Sequence, residues 1–295
     1  GEAAREALSG ALLDTRVPLQ VRRAVPAVLA RFPPTVPVGH VLLEAVENAT
    51  DGLVRFRALR ALGQVRTRAP QLPLETPVLE RILERTVEAA LQYRDTHQRL
   101  LLGLAEWCGC RPGDALAPGG RLLATLLAEK ARLAGERTFR LLALLHPEED
   151  VRGIYQGLAH ADPRVRAGSR ELLEALTRPP LRGALLSLAL PEAAEEPELE
   201  AQAARYRGVV SAVDHPGLVE ALLASRSAAV KSLAAYHAAE LGLQRLRPQL
   251  EALRDGNPGR ELGQVVTSAL RILESPRGPE SDTAGPREQG AGDGR

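Results

Sequence analysis

Val21–Ala30 (VRRAVPAVLA), Val54–Gly63 (VRFRALRALG), Val165–Leu176 (VRAGSRELLEAL) and Val230–Gly242 (VKSLAAYHAAELG) share one beginning. Each opens with Val and a basic residue, then runs on through Ala and Leu. The four valines lie 33, 111 and 65 residues apart, close to one, three and two steps of a period in the thirties. A purely helical period of that length is the mark of an α-solenoid, because a single helix pair cannot bury its apolar face alone and must stack on a neighbour. The expected fold is therefore all-α, an array of helical hairpins over residues 1–275. Regular units are expected near 2–66, 148–178 and 198–274, with longer irregular helices over 78–145.

Composition agrees with such an array. The 295 residues are 44% hydrophobic and 25% charged, enough apolar content to build a large core. Only 3% are aromatic, so Leu, Ala and Val must do the packing, which suits closely spaced helices. The formal net charge is +1, which argues against nucleic acid as the ligand, since duplex binding needs a basic face. Lys130 and Lys231 are the only lysines. Two cysteines one residue apart, Cys108 and Cys110, cannot staple a long chain, so a reducing, cytoplasmic setting is expected. No run approaches the ~18 apolar residues of a bilayer span, and direct membrane insertion is not expected. The chain lacks Met and begins with Gly, which suggests a portion of a longer protein.

Punctuation along the chain follows the same scheme. Pro18 sits where a helix can begin, and Pro26 inside the same segment predicts a kink or break. Asp51-Gly52 and Asp162-Pro163 are turn-and-cap signals. Residues 78–106 read as one long helix or two abutting ones, and 121–145 as another, with a loop at 107–120 (WCGCRPGDALAPGG). An exposed acidic loop is expected near Pro191–Pro197. Residues 276–295 are rich in Gly and Pro, poor in large apolar residues, and expected to be disordered.

DGLVRFRALRALG and DPRVRAGSRELLEAL, each a turn Asp followed by Val-Arg, resemble HEAT repeats. The resemblance implies helical hairpins wound into a right-handed superhelix. It implies that Asp51 and Asp162 cap second helices and that Arg55, Arg166 and Lys231 occupy ladder positions between neighbouring units. Pro18 and Ser227 stand where the first and fourth motifs should carry that Asp. Over roughly 15–180 the chain is also similar to the HEAT region appended to bacterial nucleotide-transporter-like (ATP/ADP translocase-like) membrane proteins. VPLQVRRAVPAVLARFPP, LVRFRALRALGQVR and ERTFRLLALLHPEEDVRGIYQGLAHADPRVRAGSRELLEAL carry that likeness. It implies a soluble portion tethered to the inner membrane through a preceding domain, which would itself be a partner.

No catalytic grouping emerges, so a non-enzymatic reading is preferred. The six histidines are scattered and lack HExxH spacing. A metal at Cys108 and Cys110 would need two more ligands, His97 among them, and structural zinc sites usually space their cysteines more widely; no metal and no cofactor are expected. Pro118-Gly119-Gly120 precedes a helix but lacks a phosphate-loop pattern. Glu148, Glu149 and Asp150 suit a helix first turn. The residues weighed as a binding surface are basic: Arg22, Arg55, Arg57, Arg166 and Lys231. Guanidinium forks on one concave face would suit phosphate, carboxylate or an acidic peptide. The alternative is a solvated face laced with internal ion pairs. The expected role is a scaffold binding a protein partner. Regulation of a nucleotide transporter, or a DNA-binding module of the same shape, are the competing readings.

Overall fold

The computed structural model describes residues 1–109, 117–190, 196–207 and 214–274, except for the side chain of Cys108. Among these residues there are fourteen α-helices, one 3₁₀ turn and no strand. The fold is all-α, and no helix among the described residues is long and apolar enough to cross a membrane. The expectations for 110–116, 191–195 and the tail from 275 lie outside the described residues.

Contacts divide the chain into two compact units, each built from two separate stretches. The first comprises residues 1–97 and 127–211. It opens with α1 (Glu2–Leu13), α2 (Leu19–Leu29), α3 (Val36–Asn48) and α4 (Gly52–Arg68). α1 pairs with α2 and α3 with α4, while α1 also touches α3 and α2 touches α4. Two hairpins are thus stacked, first helix on first and second on second. The second helices begin at Leu19 and Gly52, 33 residues apart.

The second unit comprises residues 98–126 and 212–295. It uses α11 (His215–Leu223), α12 (Ala228–Glu240), α13 (Arg247–Asp255) and α14 (Arg260–Glu274). α11 pairs with α12, α13 with α14, α12 with α14 and α11 with α13. This is the same pattern as in α1–α4. Gln244 donates to the Leu273 carbonyl at 2.7 Å, and Arg247 pairs with Glu274 at 2.8 Å.

The rest of the first unit is less regular. α7 (Val151–Leu158) and α8 (Pro163–Leu176) form a hairpin, followed by α9 (Leu181–Ala189) packed on α10 (Pro197–Ala204). The long helices α5 (Thr76–Cys108) and α6 (Pro118–Leu145) contribute to both units. In the first unit, Arg94 of α5 donates to the Ser187 carbonyl of α9, and Asp95 pairs with Arg207 at 3.0 Å. Arg170 of α8 holds Glu196 at 2.6 Å.

Several sequence expectations meet a different local structure. Of the two readings left open for residues 78–106, the structure has the single helix, α5. α9 is a short apolar helix that the sequence reading does not assign. Within the unit expected near 198–274, the first helix, α10, ends at Ala204, and residues 208–213 lie outside the described residues. Pro26 does not interrupt α2, which continues to Leu29; the proline is buried only one turn from the helix end, where it removes a single hydrogen bond.

The core of the first unit is aliphatic. Leu29, Leu42, Leu62, Val65 and Leu91 are fully buried, and Phe139 is the one phenylalanine among them. At the ~25 cal/mol per Å² typical of apolar burial, such side chains each contribute roughly 2 kcal/mol. The stack of α2 on α4 has an electrostatic clip. Asp51 caps α4 by accepting from the Val54 N–H at 2.9 Å, and the same carboxylate receives both forks of Arg23 from α2, at 2.8 and 3.2 Å. The Arg23 hydrogen bond, more than any other factor, holds the Asp51 carboxyl below its ordinary range.

Asp51→Ala should therefore lower stability in urea unfolding by about 1–2 kcal/mol, one lost cap plus one half-exposed ion pair. Because the folded-state pKa is depressed, this contribution is complete above the ordinary Asp value of 3.8 and is lost as pH falls through the lower folded value. The gap between wild type and Asp51→Ala should close in that acid window and stay constant from pH 5 to 7.

Candidate functional site

The basic residues picked out by the repeat share a register. Arg22, Arg55, Arg166 and Lys231 are each the fourth residue of a helix: α2, α4, α8 and α12. The three arginines turn back toward the preceding turn. Arg22 donates from Nε to the Val17 carbonyl at 3.2 Å, and Arg55 from Nη1 to the Ala49 carbonyl at 2.9 Å. Arg166 reaches the His160 and Ala161 carbonyls, both at 2.9 Å. An arginine side chain at this position spans one helical turn, so its fork can satisfy carbonyls five and six residues back. Arg22 is buried, Arg55 half-buried and Arg166 half-buried. Arg57 donates to the Arg23 carbonyl of α2 at 2.8 Å. Lys231, half-buried, has no hydrogen bond of this kind. Asp162 caps α8 through the Arg164 N–H at 2.9 Å. The Asp51 partner is Arg23, one residue beyond the first Val-Arg pair, rather than any of the three ladder positions.

A cleft of about 670 Å³ opens in the first unit between α4, α6 and α7. α4 lines it with Leu59, Arg60, Gly63 and Gln64, α6 with Glu136, Phe139 and Arg140, and α7 with Arg152 and Tyr155. Its floor is aromatic: the Phe139 and Tyr155 rings stack with centroids 4.4 Å apart at 30°. Helical spacing explains the lining. Residues 60, 63 and 64 share one face of α4, and 136, 139, 140 and 143 share one face of α6. Phe56, on the same helix as Arg60, carries the Arg60 and Arg140 guanidinium groups over its ring at 6.0 and 5.9 Å.

The charges along this face are unevenly paired. Arg140 bonds Glu136 at 2.6 Å, and Glu136 is shared with Arg132. Arg60 and Arg152 are exposed and have no acidic partner among the described residues. Burial, then the Glu136 carboxylate, pushes the Tyr155 phenol up. Arg137, half-buried, is depressed by burial and next by the nearby Arg55 cation. Lys130 lies 5.4 Å above the Tyr93 ring and is depressed by burial and then by Arg137. Burial is the main cause of all three shifts. Arg137 and Lys130 contrast with Arg23 and Arg170, whose carboxylate hydrogen bonds raise them.

The other sequence candidates disperse. Glu149 and Asp150 line the cleft, and Asp150 caps α7 through the Gly153 N–H at 2.9 Å, while Glu148 is exposed. His97 is half-buried in α5 and depressed by burial. Trp107 is half exposed; the Cys108 side chain, Cys110 and Asp114 lie outside the described residues. No group of three His, Cys, Asp or Glu side chains that could cage a metal occurs among the described residues. Sequence reasoning does not single out Arg152, Phe139 or Tyr155. The stacked pair had no local signal, since its members lie on different helices.

Floor and rim should respond differently to substitution. Phe139→Ala should cost about 3–5 kcal/mol in denaturant unfolding, as for other buried aromatics. Arg60→Ala and Arg152→Ala should each stay within about 0.5 kcal/mol, as exposed side chains without an ion-pair partner.

No protein-family model matches this chain, and neither a curated protein nor a solved structure does.

Proposed function

We propose that the chain is a HEAT-like helical-repeat scaffold that docks an acidic, partly apolar segment of a protein partner in the cleft between α4, α6 and α7. The observation that carries this reading is the pairing of an aromatic floor, Phe139 on Tyr155, with exposed guanidinium groups, Arg60 and Arg152, that lack acidic partners. An extended peptide gains affinity from apolar contact with such a floor and orientation from carboxylate–guanidinium bonds at the rim. The repeated stacking of α1–α4 and of α11–α14, each second helix on the second helix of its neighbour, supports the repeat reading. The 33-residue step between α2 and α4 supports it too. Arg55, Arg57, Arg166 and Arg22 then act as braces of the scaffold, and the ligand-facing cations are their neighbours.

Nucleic acid is the weaker alternative. The net charge is +1, and aromatic residues make up only 3% of the chain, too few to interleave with the basic groups as stacking platforms. Membrane tethering through a preceding domain, and regulation of a nucleotide transporter, rest on the sequence resemblance alone.

Fluorescence anisotropy with labelled Glu-rich peptides containing one or two Leu or Phe tests the proposal. Binding should weaken with salt and fall at least about tenfold in the doubly charge-reversed variant Arg60→Glu/Arg152→Glu. Equal binding by that variant, or no preference for acidic over basic peptides, would sink it. A duplex DNA probe that binds more tightly than any peptide would favour the nucleic-acid reading instead.

A further inference from the structure

The second unit contains a buried polar chain that the docking cleft of the first unit does not use. His215, the first residue of α11, and His237 of α12 are 5% and 0% exposed. Their Nε2 atoms meet at 3.1 Å, with the rings at 81° to each other. On its other side, His237 Nδ1 meets Glu240 Oε2 at 3.2 Å. Both Glu240 oxygens also accept from the Gly119 N–H at the start of α6, at 3.0 and 3.1 Å.

One arrangement of protons satisfies this chain. A carboxylate offers only lone pairs, so His237 donates from Nδ1 and, as a neutral ring, accepts at Nε2. His215 must then donate from Nε2, which leaves its Nδ1 a buried lone pair without a hydrogen-bond partner among the described residues. A further proton has two places to go, and both break the chain. On His237 Nε2 it sets two N–H donors head to head across 3.1 Å. On His215 Nδ1 it makes a buried cation whose new N–H has no acceptor.

The walls of the site are close. A Cβ at Gly103 of α5 would lie 3.1 Å from His215 Nδ1 and 3.5 Å from its Cα. One at Gly120 of α6 would lie 3.0 Å from His237 Cε1 and 3.1 Å from Leu104 Cδ1. The two long helices thus press on the rings with bare main chain. The Trp107 ring of α5 is centred 6.4 Å from that of His215.

Two carboxylates act on the rings, and both favour a proton. Glu240 acts on His237. Asp214, which caps α11 through the Gly217 N–H and pairs with Arg245 at 3.0 Å, acts on His215. The groups of α5 and α6 against the rings, Gly103, Leu104, Trp107 and Gly120, do not titrate. The Tyr236 ring of α12 packs on Gly119. α13 and α14, which pack on α11 and α12, bury Leu250 on the one and Leu262, Val266, Ala269 and Leu270 on the other, all apolar. Burial outweighs both carboxylates: it pushes His215 down to about 4, aided by His237, and it lowers His237 against the pull of Glu240.

We propose that the Glu240–His237–His215 chain is an acid-sensitive latch. With both rings neutral it ties the start of α11 to α5, α6 and α12, and entry of one more proton releases α11 and opens the second unit. Unfolded histidine takes its proton near 6.5, and the folded rings resist it. The contribution of the latch is therefore complete above 6.5 and is lost as pH falls toward about 4. The Asp51–Arg23 clip of the first unit persists to lower pH, which gives the two units different acid windows.

The test follows Trp107, the single tryptophan, in the full wild-type chain. Its emission should change in one reversible step between pH 6.5 and about 4. Across that step, amide exchange in α11 should speed up at least about tenfold while α3 and α4 stay protected. His215→Gln, whose amide can still donate to His237 but does not titrate, should move the midpoint down by about one pH unit or more. A long-range ¹H–¹⁵N spectrum of the wild type needs no variant, and it covers the case in which that substitution fails to fold. In it, the rings of His215 and His237 should stay neutral below 6.5 and take their protons only within the same step. The latch is overturned by flat Trp107 emission down to pH 4, or by an unchanged midpoint in folded His215→Gln. Protonation of both rings near 6.5 with α11 still protected overturns it equally.

Discussion

A helical hairpin in water has one apolar face too many, and stacking hairpin on hairpin is the constraint from which the rest of this molecule follows. α2 lies on α4 and α12 lies on α14, each second helix covering the next. The covered faces are almost entirely Leu, Val and Ala, side chains that permit close approach. With so little aromatic volume available, stability comes from many small contacts rather than a few large ones. The polar groups then have to be settled around that packing. Asp51 illustrates the economy: one carboxylate closes the first turn of α4 and holds Arg23 of the neighbouring hairpin.

This ordering separates what was legible in the sequence from what was not. Helix identity and the Val-Arg register were legible because they are local. The apolar spacing and the turn signals Asp51-Gly52 and Asp162-Pro163 sit within a few residues of the helices they start. α9 escaped because nine residues between a Pro-Pro pair and an acidic stretch give too short a window for periodicity. The division into two units was not legible either, since α5 and α6 look continuous in sequence and are continuous as helices.

The functional residues follow the same rule. The basic residues that stand out by repetition, Arg22, Arg55 and Arg166, prove to be occupied with backbone carbonyls. Those with fewer internal obligations, Arg60 and Arg152, have no distinguishing motif, and only the fold brings them to one cleft. Repetition in a solenoid-like sequence marks the brace, while the proposed recognition residues are side chains that vary between units. His237 makes the same point in the fourth motif. It reads as a scattered histidine along the chain, yet in space it lies at the centre of a buried polar network.

The braces carry one further consequence, for sequence drift. An arginine that bonds to main-chain oxygen asks nothing of the side chain at the other end. The turns before α2, α4 and α8 are accordingly dissimilar in sequence, from TRVP to NATD to AHAD, while the arginine geometry recurs. Apart from the capping Asp51 and Asp162, such turns are free to change residue by residue without loosening the joint. A chain built this way can keep its architecture long after its repeats have stopped looking alike.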